Sequence, residues 1–310
     1  MPGKMIARVS QVLRESEGGS VVQRGEARSL GEPGAPDRLY EGYVFDLDGT
    51  IYLGDELLPG VKRLIPKLRE LGKRVIFLSN NPTNDPKMYA EKLARLGLKT
   101  PASEIVNTVL TMTQWLLEEH PEATVFPISE EPLKNSLAEA GIRISEDPEE
   151  IDIVIASYDR TFDYRKLQIA FDAIWFYERA MLVTTNPDRY CPFPGGRGEP
   201  DAAAIVAAIE ACTGTKCQVN VGKPDPIMLK TVMDLIGLDA KECVMIGDRL
   251  YTEIEMAKGA GMPTAIALTG ETTERDLARE PVENLPDYVL ERIDRLVPRD
   301  LWDEFGWEDG

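Results

Sequence analysis

At 310 residues, 43% of them hydrophobic and 28% charged, the chain is long enough for two ordinary domains with sizeable cores. Its formal charge of -18 argues against non-specific binding to nucleic acid or an anionic membrane, and no apolar run approaches the roughly 20 residues that span a bilayer. Four cysteines without a CxxC and a single histidine, His120, leave a zinc site without a plausible ligand set.

In chain order, residues 1–38 are rich in Gly, Ser, Arg and Glu and are expected to be mostly disordered, with Ile6, Val9, Val12 and Leu13 able to form one short amphipathic helix. A targeting peptide has poor support because Glu15 and Glu17 interrupt the basic run, so reduced thiols in the cytoplasm are the expectation. Tyr43, Val44 and Phe45 then predict a short buried strand. In YVFDLDGTIY, Asp46 and Asp48 arrive where that strand ends, and Gly49 allows a sharp turn. Ionised side chains at the buried end of a strand need a cation or a hydrogen-bond network. The carboxyl edge of a parallel sheet is also where α/β proteins hold ligands. Asp46 therefore reads as a nucleophile and metal ligand, and Asp48 as its acid/base partner; the plainer alternative is a turn or helix-cap pair.

A helix over 61–71 and a buried strand over 75–78 follow. The strand ends in Ser79, Asn80 and Asn81, where a hydroxyl and the next backbone N–H can hold an anion, or can simply cap a helix. Near residue 121 a second βα series starts, with strands at 125–128 and 151–157, helices near 133–140 and 164–178, the MLVTTNPD strand, and an Ala-rich helix over 201–212. This independent alternation predicts an α/β cap over 121–217, inserted between the two parts of a core at 39–120 and 218–310. In the turn TTNPDRYCPFPGG, Asn186 and Asp188 stand at a strand end, Arg189 and Tyr190 follow, and Pro187, Pro192 and Pro194 stiffen the loop.

Past the cap, Lys223 lies between Gly222 and Pro224. A fixed ammonium suits a phosphoryl group, although a lone Lys is more often a solvated charge. A strand over 243–246 ends in Gly247 and Asp248, with Glu253 in the turn beyond; Cys243 reads as an ordinary core residue. The tail WDEFGWEDG either docks Trp302 or Phe305 on the core or frays.

Taken in order, DxDGT, strand-SNN, GKP and strand-GDRLYTE resemble the motif set of the haloacid dehalogenase superfamily of phosphatases. Their spacing resembles its large-capped branch, the p-nitrophenylphosphatase and NagD-like enzymes, over roughly residues 39–296. The resemblance implies a doubly wound parallel-sheet α/β core with an inserted α/β cap. It implies a Mg2+-dependent phosphatase that acts on a small phosphorylated metabolite through an aspartyl-phosphate. Asp46 would be the nucleophile and Asp48 the general acid/base; Ser79, Asn80 and Lys223 would bind the phosphoryl group; Asp46, the main-chain carbonyl of Asp48, and Asp248 would hold Mg2+. The chemistry agrees, since a dianionic ester repels an anionic nucleophile unless cations offset the charge.

Glu253 stands where the family usually has Asp, as a support for the metal waters and the lysine, and changes at such positions cost roughly 10–100-fold. Asn186, Asp188, Arg189 and Tyr190 fall in a stretch that resembles the family's substrate-specificity loop. Cys191 stands where some relatives carry His, so pyridoxal-phosphate specificity is not transferred. Sugar phosphates, glycerol phosphate, phosphoglycolate and nucleoside monophosphates all remain open. The rival readings are a phosphotransferase or mutase of the same superfamily, and a weakly active phosphate-ligand sensor suggested by Glu253. A dehalogenase would need neither Mg2+ nor an acid such as Asp48, and a P-type ATPase would need membrane spans. Any homodimer is expected to form through the cap.

Overall fold

The computed structural model describes residues 34–193 and 196–308. The disorder and short helix expected before residue 34 lie outside the described residues. Strands β1 (Gly42–Asp46), β2 (Tyr52–Leu53), β3 (Glu56–Leu57), β4 (Arg74–Ser79) and β5 (Ile105–Asn107) precede β6 (Thr124–Ile128), β7 (Arg143–Ile144), β8 (Ile153–Ala156) and β9 (Met181–Thr184). A hairpin of β10 (Tyr190–Phe193) and β11 (Arg197–Pro200) follows, then β12 (Val219–Asn220), β13 (Cys243–Gly247), β14 (Thr264–Ala267) and β15 (Tyr288–Leu290).

The first sheet has the order β15-β14-β13-β1-β4-β5, with every ladder parallel. Because helices cover both faces, β1 is buried throughout and carries no polar alternation before Asp46. Tyr43, Phe45 and Phe77 pack on one face against the Val61–Glu70 helix. Val44, Ile76 and Met245 pack on the other against the Pro226–Ile236 helix. Strand order reverses between β1 and β13, so a crevice opens outside their carboxyl ends. Asp46 closes β1 and Asp248 follows β13 directly, which brings the two motifs to that crevice.

The second sheet, order β12-β9-β8-β6-β7, is also parallel. Phe126, Val154 and Leu182 pack with Ile169, Ile205 and Ile209 from two helices on one face. Val125, Ile153 and Val183 pack with Val109, Met112 and Leu133 on the other. The strand at Val219–Asn220 belongs to this sheet, so the sheet runs past residue 217 and almost to Lys223. The helix expected over 164–178 ends earlier: Tyr164–Phe171 is α-helical and Asp172–Phe176 forms a wider π turn. The Ala173 carbonyl then accepts from the N–H groups of both Arg179 and Ala180, and Glu178 takes φ 50, which turns the chain toward β9.

The acidic aromatic tail docks. Trp302 is buried in the core cluster, its indole N–H donates to the Val297 carbonyl (3.1 Å), and the Arg63 guanidinium lies over the rings of Trp302 and Trp307 at 4.7 and 4.8 Å. Cys243 is buried in the core, as expected. Among the described residues, no helix is long and apolar enough to cross a membrane.

Candidate active site

Lys223 reaches back to the end of β1, where its Nζ donates to Asp46 Oδ1 and to Glu253 Oε1. All three side chains are nearly closed to solvent. The other Glu253 oxygen accepts from the Thr252 hydroxyl (2.7 Å). The side chain of Glu253 also fills space beside Gly247, where a Cβ would come within 2.6 Å of the Glu253 Cβ. The longer acid is accommodated by that missing methyl.

Asp48 is exposed at the crevice, and its Oδ2 accepts from the Tyr52 hydroxyl (3.1 Å). Lys92 Nζ sits 3.7 Å from the centre of the Tyr52 ring. Gly49 makes the turn at φ 86, and a side chain there would overlap the Asp248 carboxylate. At the end of β4, Ser79 Oγ accepts from the Asn81 N–H (3.2 Å) and lies 2.9 Å from the Tyr89 hydroxyl. A hydroxyl that accepts from the backbone keeps its own hydrogen to donate, to Tyr89 here or to a bound anion.

The charges are unbalanced. Burial drives the Asp46 carboxyl well above the usual range; Lys223 opposes this, and the Glu253 and Asp248 charges add to it. Asp248 is pushed up to about 6, mainly by burial and then by Glu253. Burial also works to raise Glu253, but the adjacent Lys223 outweighs it and holds the acid below its ordinary value. For Lys223, burial disfavours the charge, yet Asp46 and Glu253 overcome that and keep the ammonium protonated. Asp48 is raised chiefly by desolvation, with Lys92 and Tyr52 pulling the other way.

This donor set suits a hard divalent cation. Asp248 Oδ2 accepts from the Glu271 N–H (2.7 Å), while Asp248 Oδ1 is buried without a hydrogen-bond partner among the described residues. A buried carboxylate oxygen with no donor implies something that brings positive charge. Among the described residues, Lys223 is the cation in direct contact with both Asp46 and Glu253, and Arg249 acts on the same carboxylates from farther off. Among the described residues no three His, Cys, Asp or Glu side chains converge as a metal cluster. The expected set instead contains two carboxylates and a main-chain carbonyl, which suits Mg2+ because that ion usually keeps several waters.

The second sheet brings a further group of polar residues against this edge. Asn80 Nδ2 donates to Asp188 Oδ2 (3.1 Å) and to the Lys223 carbonyl (3.1 Å), and Asn80 Oδ1 accepts from the Lys223 N–H (2.9 Å). The Asn80 amide is thereby engaged on both ends, which leaves its backbone N–H as the group suited to an anion. Asn186 is fully buried and donates to the Asn80 carbonyl (3.2 Å). Burial raises the Asp188 carboxyl, against the Asn80 hydrogen bond and Arg249. Arg189 and Tyr190 are exposed, and the Arg189 side chain forms no hydrogen bond or ion pair among the described residues. Cys191 Sγ lies 3.7 Å from Asn81 Nδ2, and burial pushes its thiol up to about 11.

Sequence reasoning missed four contributors. Tyr52, Tyr89 and Lys92 surround the two motifs, and nothing in their local sequence sets them apart from ordinary core or surface residues. Arg249 was the fourth, although it follows Asp248 directly. Burial works against its charge, but Asp248, Asp46 and Glu253 outweigh it, and its Nε lies 2.9 Å from Glu271 Oε2. A hollow lined by Ile174, Trp175, Phe176, Glu178, Thr213 and Thr215 shares no residue with this cluster.

Comparison with known proteins gives a consistent picture. Residues 43–143 match the family described as haloacid dehalogenase-like hydrolase, and residues 220–296 match a related HAD-hydrolase-like family. The chain is 34% identical over 254 residues to sugar-phosphatase AraL of Bacillus subtilis, covering 81% of this chain and 90% of that protein. It is 32% identical over 259 residues to an acid sugar phosphatase of Staphylococcus aureus, covering 83% and 97%. The solved structure of a 4-nitrophenylphosphatase from Thermotoga maritima superposes with a TM-score of 0.77 at 33% identity, covering 83% of this chain and 95% of that one.

Proposed function

The chain belongs to the haloacid dehalogenase-like hydrolases and is a phosphoric monoester hydrolase, and from that premise we propose that it hydrolyses a small sugar phosphate through a phosphorylated Asp46. The observation that carries this reading is the Lys223 ammonium bound to Asp46 at the carboxyl end of β1, with Asp48 at the same strand end. The Asp46 carboxylate attacks phosphorus, which divides one difficult displacement into two easier ones. Lys223, the Ser79 hydroxyl and the Asn80 backbone N–H hold the phosphoryl oxygens. Asp48 gives a proton to the departing sugar oxygen and then takes one from the attacking water, with Tyr52 fixing the carboxylate between the two events.

Mg2+ would be held by Asp46, the Asp48 carbonyl and Asp248, where it would neutralise phosphoryl charge. The sugar-phosphate class follows the two relatives named as sugar phosphatases. The second sheet, with residues 121–217 as its body, serves as the cap over residues 39–120 and 218–310, and its Asn186–Tyr190 turn meets the leaving group. We assign the cytoplasm from four unpaired cysteines, and exclude nucleic-acid and membrane partners from the charge of -18. Exposed Trp175 and Phe176 on the cap support a homodimer through that surface, which sedimentation with a Trp175→Glu variant would test.

A phosphate-release screen over sugar phosphates, glycerol phosphate, phosphoglycolate and nucleoside monophosphates tests the function. The expected result is turnover of sugar phosphates with Mg2+ and none with chelator. Full activity in chelator, or transfer of phosphate to a sugar hydroxyl in preference to water, would refute it.

A further inference from the structure

Three chain segments that are remote in sequence meet at one side chain. Asn80 follows β4 of the core, Asn186 and Asp188 follow β9 of the cap, and Gly222–Lys223 follows β12 where the chain returns from cap to core. Asn80 bonds both main-chain groups of Lys223 and the Asp188 carboxylate, while Asn186 and the Thr108 hydroxyl donate to the Asn80 carbonyl at 3.2 and 2.9 Å. The packing is tight enough to require glycine at 222. A Cβ there would come within 2.5 Å of the Thr185 carbonyl oxygen and 2.9 Å of Asn80 Oδ1.

We propose that Asn80 is a positioning residue that ties the Asp188 turn of the cap to the backbone of Lys223, so that the placement of the cap turn sets the placement of the phosphoryl-binding ammonium. The proposal rests on the phosphatase reading for the role of Lys223, and on the hydrogen bonds alone for the link. Its physical basis is that an amide can donate to a carboxylate with one end while accepting from a backbone N–H with the other. Neither a carboxylate nor a hydroxyl at residue 80 reproduces that pattern. Asn80 and Asp188 are 108 residues apart, and Asn80 and Lys223 are 143 apart, so one side chain bonds to both of two segments that the β9–β12 ladder sets side by side. The consequence is directional. A leaving group that draws the Asp188 turn inward also draws the lysine into register, and displacements of about 1 Å at a reacting centre are worth on the order of 100-fold in rate.

Inorganic phosphate tests the link because it has no leaving group to contact the cap. Its dissociation constant is measured by titration calorimetry with Mg2+ in wild type, Asp188→Ala, Asn80→Ala and the double variant. Removing a nearby negative charge would by itself tighten anion binding. The link predicts the opposite sign: Asp188→Ala weakens phosphate binding about threefold or more, Asn80→Ala about tenfold, and the double variant no more than Asn80→Ala alone. Tighter or unchanged binding in Asp188→Ala, or losses that multiply in the double variant, would overturn the proposal.

If Asn80→Ala does not fold, Asn80→Asp faces Asp188 with a like charge and is expected to lower kcat with little change in KM. Adding Asp188→Asn restores a donor opposite an acceptor and should recover most of that loss; no recovery overturns the link. A wild type that shows the calorimetric coupling but releases phosphate from no ester supports the link while refuting the phosphatase reading. A wild type that binds no phosphate refutes both.

Discussion

Lys223 donates to Asp46 across 177 residues of chain, and both partners are nearly closed to solvent. A buried pair of this kind recovers little stability beyond its desolvation cost, so stability is a weak reason for it to persist. Its chemistry is a better one. The ammonium is anchored from its other side by Glu253, which holds it at the strand end where a dianionic ester would have to approach Asp46.

Asp46→Asn removes the carboxylate proposed to attack phosphorus and leaves a side chain of the same shape. Turnover should fall at least about 1,000-fold, with the circular dichroism spectrum and melting midpoint nearly unchanged. A folded variant that keeps more than a few per cent of wild-type activity would exclude Asp46 as the nucleophile.

Glu253→Gln keeps the volume beside Gly247 but removes the charge that faces Lys223. We expect kcat/KM to fall about tenfold and the apparent Mg2+ affinity to weaken, whereas Glu253→Asp should retain activity within about threefold. Magnesium titration of both variants checks this. An unchanged curve for the Gln variant would separate Glu253 from the metal and its waters.

Asp201 supplies a pH dependence that lies outside the metal set. Its Oδ1 accepts from the Ala202 N–H at the start of the Ala202–Thr213 helix, and burial, more than the nearby Asp188 charge, pushes its pKa up to about 6. Between the unfolded value of about 4 and the folded value, the native protein holds the proton more tightly than the unfolded chain does. Its contribution to stability therefore falls as pH rises through that window and is level above it. Asn caps a helix equally well and does not titrate. Asp201→Asn should gain stability over wild type by on the order of 2 kcal/mol between pH 4 and pH 6, read from urea unfolding at several pH values. A difference that does not change with pH would contradict the shift.

Much of the core was legible because each motif combines a short apolar run with an abrupt polar ending. Tyr43 to Phe45 before Asp46, and Cys243 to Ile246 before Gly247 and Asp248, place two carboxylates at adjacent strand ends once the sheet is parallel. Lys223 was legible only through its motif, since nothing local distinguishes it from a surface lysine. The direction of the Asn80 side chain was not legible, because its partners come from chain segments more than 100 residues away. Arg249 was hidden only in part for that reason: Asp248 and Glu253 are its neighbours in sequence, and the remote contribution to its surroundings is Asp46. The π turn at Asp172–Phe176 defeated the helical pattern because the residues through Tyr177 keep helical spacing while the hydrogen bonds widen.

Arg189 and Tyr190 test the cap turn. Tyr190 is 58% exposed and the Arg189 side chain forms no hydrogen bond or ion pair among the described residues, so both side chains are available to a leaving group. Replacing both with Ala should lower kcat/KM about tenfold or more for the best sugar phosphate and much less for p-nitrophenyl phosphate, because the catalytic groups see only the phosphoryl group that both share. Equal losses on the two substrates would place specificity elsewhere in the cap.

The stereochemical course at phosphorus separates a phosphorylated Asp46 from direct attack by water on the ester. A phosphorothioate monoester made chiral at phosphorus with two oxygen isotopes is hydrolysed in water enriched in the third, and the configuration of the released thiophosphate is determined. Transfer first to Asp46 and then to water comprises two in-line displacements, so net retention is expected. Net inversion would mean that water attacks the ester directly and that Asp46 never carries the phosphoryl group.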